Sequence, residues 1–263
     1  MSERDLRRLD QITWPEFRDR IDHAVLIVPF GAVEQHGYHL PLGVDSQLPF
    51  QLALAAAGRF PAIVAPPIWF GYKSQPRSGG GGRFPGTISL DGSTLTGIAR
   101  DLVTDLLRQG QRFIVFLNGH MENTTFAAEG ADLALRGRPD DGTKVVLINW
   151  WEHVASDVLD QLFPEGFPGW EAEHASLTET SLMAHFLPDL VLPDRLAPQN
   201  DYRPVPAYSV FPEPAGLVPE SGVLYQAHGA SAEKGARLAE HITEQIVAIL
   251  RREFPQFADA EAK

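Results

Sequence analysis

Residues 24–45 read AVLIVPFGAVEQHGYHLPLGVD. The run from Ala24 to Phe30 is apolar throughout. An alternating run would mark a strand with one wet face. An unbroken one marks a parallel strand covered on both faces. Directly after it come Glu34 and His36, then Asp45. A second apolar run, Phe113 to Leu117, is followed in the same way by His120 and Glu122. On extended backbone, residues two apart point to the same side. Each strand end therefore delivers one imidazole and one carboxylate together.

The rest of the chain supplies the helices that such strands need. Thr13-Trp14-Pro15-Glu16 has the form of a capping box. Ser46 to Ala57 reads as a Leu- and Ala-rich helix, and Ile63 to Ala65 as a short strand. A long loop from Pro67 to Asp91 carries five glycines between Gly71 and Gly82. Ser93 to Gln109 is amphipathic, with Leu95, Ile98, Leu102, Val103 and Leu106 on one face and Gly110 as its left-handed cap. Helices are also expected over 124–136 and 175–186, with a strand at Val145 to Ile148 between them. A proline-rich connector runs from Pro188 to Pro219, and a last helix starts near Ser231 with Leu238, Ile242, Ile246 and Ile249 inward. Strands alternating with helices predict βαβ units and a mostly parallel sheet. The expected fold is a single-domain, three-layer α/β/α structure over residues 1–263. Ligand sites in such folds lie beyond the carboxyl ends of the strands.

Composition narrows the chemistry. The chain has 263 residues, 44% hydrophobic, enough for one large core. Its formal net charge of −12 repels a nucleic-acid backbone, and Asp101 and Asp105 interrupt the nearest basic stretch, Arg100 to Arg112. No apolar stretch approaches a membrane span, and MSERDLRRLDQ does not read as a signal peptide, so a cytoplasmic protein is expected. Without cysteine, any metal must be held by His nitrogen and carboxylate oxygen.

Glu34, His36, Asp45, His120 and Glu122 are too many ligands for one tetrahedral zinc with an open position. They suit two divalent ions bridged by a carboxylate and a hydroxide. The charges of two ions, three carboxylates and one hydroxide then cancel, as a buried site requires. The plainer reading makes each His–acid pair an ordinary loop hydrogen bond. His39 reads as a structural residue or a partner behind the ligands. Ser78 to Gly82 lacks the Lys-Ser/Thr ending of a phosphate loop, and suggests instead a backbone that passes close to a ligand or a neighbouring subunit. In Gly169 to His174, His174 is suited to moving a proton near neutral pH and Trp170 to closing over a small planar ligand. The alternative is that Trp170 is core and His174 caps a helix.

VPFGAVEQHGYHLPLGVD resembles the signature of the creatininase (creatinine amidohydrolase) family, and LNGHMEN resembles its second metal motif. GYKSQPRSGGGGRFPGTISLDGSTLTG, FPEGFPGWEAEHASLTETSLM, the Trp150–Trp151 pair and the terminal REFP extend the likeness from about Thr13 to Pro255. The resemblance implies a binuclear site of Glu34, His36, Asp45, His120 and Glu122, with Asp45 as the bridge and Zn or Mn as the ions. It implies substrate contacts at Ser78, Met121, Trp170, Glu171 and His174, with Trp151 near the pocket. His174 and Glu122 are the implied catalytic residues, and a homohexamer the implied assembly. Two positions depart from the family pattern: Met121 stands where Tyr is usual, and Glu171 where Asp is usual.

The implied reaction is reversible opening of a small cyclic amide, creatinine to creatine. The bridging hydroxide attacks the carbonyl, His174 protonates the leaving nitrogen, and Glu171 pairs with a guanidinium-like group. Met121 and Glu171 keep open another substrate of the same family: a different lactam, a formamide or a peptide end. A two-metal phosphoesterase is a more distant alternative. It needs a cationic clamp, and only Lys73, Arg77 and Arg83 lie near the motifs.

Overall fold

The computed structural model describes residues 4–198, 208–212, 214 and 216–258. Four parallel strands form one sheet in the order β2-β1-β3-β4. They are β1 (Val25–Phe30), β2 (Ala62–Val64), β3 (Phe113–Asn118) and β4 (Lys144–Asn149). Every residue of β1 is buried, as its unbroken apolar run requires. The pleat then divides it between two cores. Val25 and Ile27 pack on one face with α2 (Val44–Ala57), α6 (Leu177–Phe186) and α7 (Ala232–Glu253). Leu26, Val28 and Phe30 pack on the other with α3 (Gly92–Arg108) and α4 (Thr124–Leu135). The three-layer α/β/α expectation holds, with short α1 (Trp14–Arg18) and α5 (Ser156–Leu162) outside the sheet. Thr13 and Glu16 make the expected capping box, and Gly110 takes its left-handed cap conformation at φ 97°.

Two differences from the sequence expectation bear on the site. α2 starts at Val44, not Ser46, because Gly43 caps it and its carbonyl accepts from the amides of Ser46 and Gln47. Asp45 therefore lies in the first turn of a helix, where the helix dipole favours a negative charge. α6 starts at Leu177 rather than Ala175, because Ala175 adopts φ 54° and cannot continue the helix. Farther away, α7 turns Leu250 inward and leaves Ile249 half-buried. Its contact row steps by four through Leu238, Ile242, Ile246 and Leu250, the row along which helices commonly interlock. Part of the expected 188–219 connector, residues 199–207 with 213 and 215, lies outside the described residues.

The long 67–91 loop is pinned beside the carboxyl ends of the strands. Single bridges join Phe30 to Ile68, Val33 to Ile88 and Tyr72 to Leu90. Beyond β3, Gly119 crosses the start of α2 so closely that a Cβ there would lie 2.2 Å from the Asp45 carbonyl oxygen and 2.8 Å from the Pro49 ring. Gly119→Ala is expected to cost about 1–3 kcal/mol by overpacking and to part Asp45 from His120. Urea denaturation with a metal titration measures both, and wild-type values in both would rule out the close crossing.

Candidate metal centre

β1 ends at Phe30 and the chain turns through Glu34 and His36 before entering α2. β3, hydrogen-bonded beside β1, ends at Asn118 and presents His120. Asp45, on the first turn of α2, stands between them. Its Oδ1 lies 3.0 Å from His36 Nε2 and its Oδ2 lies 3.1 Å from His120 Nδ1. Glu34 adds an oxygen 3.3 Å from His120 Nδ1. From the far side, α6 contributes Glu179, 3.7 Å from His36 Nε2.

Two buried triads result, Glu34–Asp45–His120 and His36–Asp45–Glu179, each with ligand atoms within 4.8 Å of one another. They share Asp45. A third grouping, Glu34–His36–His174, places His174 beside both. The donor set fits divalent cations on its own evidence. Glu34 Oε2 is buried and accepts no hydrogen bond among the described residues, an arrangement that costs free energy unless a cation faces it. Zn and Mn both take such N/O ligands.

The electrostatics describe a cluster that holds protons where ions would sit. Burial works against a charged His36, but Asp45 and Glu179 outweigh it and lift the imidazole well above 6.5. Burial likewise opposes a charged His120, and Glu122 and Glu34 overcome it. Burial alone would raise Asp45, yet His36 and His120 hold it far below the usual carboxylate range. Glu34 is raised to about 8, chiefly by burial and secondarily by Asp45.

His174 differs. Burial first, then the charge on His36, push it down to about 3. Its Nε2 lies 2.8 Å from the Gln35 carbonyl oxygen. The Gln35 side-chain nitrogen also lies 2.8 Å from Nε2, but its two hydrogens are directed at the Gly79 and Gly222 carbonyls. The tautomer that fits therefore carries the proton on Nε2 and leaves the Nδ1 lone pair on the side of Glu34, 3.7 Å away. The Gln35 side chain clasps three loops. Its amide nitrogen donates to the carbonyls of Gly79 and Gly222 at 3.0 and 2.9 Å, and its oxygen accepts from the Gly37 amide at 2.9 Å. Gly222, at φ 79°, has no room for a Cβ, which would meet Gln35 Oε1 at 1.9 Å. The glycine-rich loop passes close to Glu34: a Cβ on Gly79 would lie 2.6 Å from Glu34 Oε2.

A pocket of about 40 Å³ opens onto Glu34, Asp45, His120 and Glu179, walled by Ser78, Met121, Trp151, Trp170 and His174. Trp170 stacks edge-on with Trp150 and Phe167, at 6.0 and 4.8 Å between ring centres. Two expected site residues stand elsewhere. Glu122 is outside both triads: it lies 3.3 Å from His120 Nε2, the nitrogen turned away from Asp45, and accepts from the Ser78 hydroxyl at 2.5 Å. Glu171 does not line this pocket and is held by Arg77 with both oxygens at 2.5 Å. His39 falls behind the ligands, its Nε2 2.9 Å from the Thr180 hydroxyl.

Sequence reading missed Glu179, Glu173 and Gln35. Glu179 follows Ser176 by three, the spacing of a capping box, which gives it an ordinary structural explanation. In the fold its carboxylate accepts from the Ala175 amide at 2.6 Å and also faces His36. Glu173, buried, accepts from the Thr178 amide at 2.7 Å and from its hydroxyl.

A family model described as creatininase (creatinine amidohydrolase) matches residues 10–250. The chain belongs to the creatininase family. It is 45% identical over 253 residues to a creatinine amidohydrolase of Pseudomonas putida, covering 93% of this chain and 96% of that one. A solved creatininase described as the Mn form superposes with a TM-score of 0.90 at 44% identity, over 94% of this chain and 98% of that one. A mutant creatininase of Zn–Zn type gives 0.92 at 43% identity, over 97% and 100%. This creatininase-family chain is therefore a hydrolase, with a buried carboxylate–imidazole cluster able to bind metal.

Two outcomes check this geometry. Raised pKa values for Glu34, His36 and His120 mean that an incoming ion displaces protons. Zinc binding to the metal-free protein at pH 7 should thus release protons, and affinity should rise with pH through neutrality. Calorimetry in buffers of different ionisation enthalpy measures the release, and none at pH 7 would show the cluster already deprotonated. Separately, Gln35→Glu removes the donors to Gly79 and Gly222, at about 1–3 kcal/mol for each stranded carbonyl. Urea denaturation reads that loss, and an unchanged midpoint refutes the clasp.

Proposed function

We propose that this hydrolase opens a small cyclic amide, with creatinine as first substrate and creatine as product, the reaction being reversible. The observation that carries the reading is the pair of buried triads sharing Asp45 beside a tryptophan- and histidine-walled pocket. Glu34, Asp45 and His120 would hold one divalent ion, and His36, Asp45 and Glu179 the other, as Zn or Mn. When bound, such ions polarise the amide carbonyl and acidify the attacking water.

The remaining tasks belong to side chains of this chain. His174 is neutral, with its open lone pair at Nδ1 and its other nitrogen committed to Gln35. It takes a proton at Nδ1 from the attacking water and returns it to the ring nitrogen as the C–N bond breaks. Trp151 and Trp170 hold the flat ring and exclude water. Ser78 and Met121 bound the pocket where the substrate enters, and Glu122 orients both the Ser78 hydroxyl and His120. Glu171 joins in binding only when it leaves Arg77.

That last pairing keeps one further reading in view, a different cyclic amide within the same family, because the partner offered to a guanidinium-like ring already holds a guanidinium. A phosphoesterase has less support. Lys73 is paired to Asp91 at 2.6 Å, Arg77 to Glu171, and Arg83 to the Val218 carbonyl at 2.7 Å, leaving no cationic clamp among these three. The whole chain, 1–263, is taken as one amidohydrolase domain, a cytoplasmic homo-oligomer and a hexamer by resemblance, with no nucleic-acid or membrane partner. Among the described residues no helix is long and apolar enough to cross a membrane.

The direct test is interconversion of creatinine and creatine by the Zn- or Mn-loaded protein, with other cyclic amides alongside; inactivity on all of them rejects the reading. His174→Ala should keep its metal and lose about 10²–10⁴-fold in kcat. Near-normal turnover would remove His174 from proton transfer. Asp45→Ala should lose both ions, and two ions per chain in a metal assay of this variant would disprove the shared ligand.

A further inference from the structure

Outside the metal pocket lies a second chamber of about 610 Å³, and Ser78 and Met121 form part of the wall of both. One side of the chamber is apolar: Tyr208, Val210, Phe211, Pro214 and Leu217. Tyr208, Val210 and Phe211 are 69%, 48% and 83% exposed, more than an apolar wall tolerates without something to cover it. The charged groups on the other side are already neutralised. Arg77 and Glu171 hold each other at 2.5 Å, and Lys73 holds Asp91 at 2.6 Å. Glu122 is turned to the Ser78 hydroxyl and His120. Among the described residues of its wall, a charged ligand would find no counter-charge without breaking one of these pairs. At the junction with the metal pocket stands Met121, a flexible thioether with no hydroxyl that an apolar neighbour would strand.

We propose that this outer chamber is a subsite for a neutral, apolar substituent on the substrate ring, so that creatinine is the minimal substrate and a cyclic amide carrying an alkyl or aryl tail a better one. The subsite rests on the amidohydrolase reading, and deepens it by naming the substrate class. The ring lies in the inner pocket against Trp170 and His174. The tail passes Met121 and covers Val210 and Leu217. Removing those side chains and the tail from water supplies affinity that a bare ring lacks.

The test is a homologous series with Zn- or Mn-loaded enzyme: creatinine analogues N-alkylated, and hydantoins 5-alkylated, from hydrogen to hexyl. Specificity, kcat/KM, should rise about fourfold per added methylene over the first few carbons, the transfer free energy of one methylene, and mostly through KM. The double variant Val210→Ser, Leu217→Ser should flatten the series and leave the unsubstituted ring turned over as before. Met121→Tyr should flatten it as well, by narrowing the passage. A flat or falling series in the wild type, with the bare ring hydrolysed, overturns the subsite and leaves the amidohydrolase reading standing. A flat series with a double variant that dissociates into smaller assemblies overturns it too, and assigns the wall to a contact between copies. Should no ring be opened, the amidohydrolase reading fails. Calorimetric binding of the same series then decides the subsite by itself: affinity that does not grow with tail length rejects it.

Discussion

Everything at the catalytic end of this molecule depends on one buried carboxylate placed between two imidazoles. Asp45 reaches His36 with one oxygen and His120 with the other, at 3.0 and 3.1 Å. A lone carboxylate at 3% exposure would be costly. Three things offset that cost: the two imidazoles, the amino end of α2, and the cations that the surrounding oxygens are arranged to receive. The same carboxylate ties β1, α2 and β3 into one unit, because its helix begins where the β1 loop ends and its backbone touches the loop after β3.

Around that centre the chain arranges layers of support. Behind His120 stand the Tyr72 carbonyl at 3.0 Å and Glu122 at 3.3 Å. Such partners fix the orientation of a ligating imidazole and raise its basicity. Behind His174 stands Gln35, whose backbone sets the tautomer and whose side chain closes the loops at Gly79 and Gly222 over the site. Glycine at these points follows from space, since the loop backbones run against the Glu34 carboxylate and the Gln35 amide. The chemistry thus rests on rigid strand ends, and selectivity on the loops laid across them.

Much of this was legible in the residues. The unbroken apolar runs of β1 and β3 announced a parallel sheet, and periodicity placed α3, α4 and α7 to within a few residues. The motifs beyond those strands announced Glu34, His36, Asp45 and His120, but the backbone there is not extended: β1 stops at Phe30, and Met121–Asn123 is a 3-10 helix that carries Glu122 out of the triads. Family likeness added Ser78, Trp151 and Trp170, all of which face the pocket. What stayed hidden has a common cause. Glu179 sits on a helix far along the chain, with a spacing that helix capping already explains. The Arg77–Glu171 pair joins two loops 94 residues apart, and no local pattern encodes such a meeting.

The sequence by itself therefore determined the sheet, its helices and four of the five side chains in the two triads, Glu34, His36, Asp45 and His120, since hydrophobic period and motif spacing are local. Tertiary structure alone decided which carboxylate completes the second triad, that Glu122 stands behind His120 while Glu179 faces His36, and that Glu171 is already paired. Those outcomes depend on how α6 and two long loops fold back over the sheet. Distances between residues far apart in the chain are set by packing of the whole core.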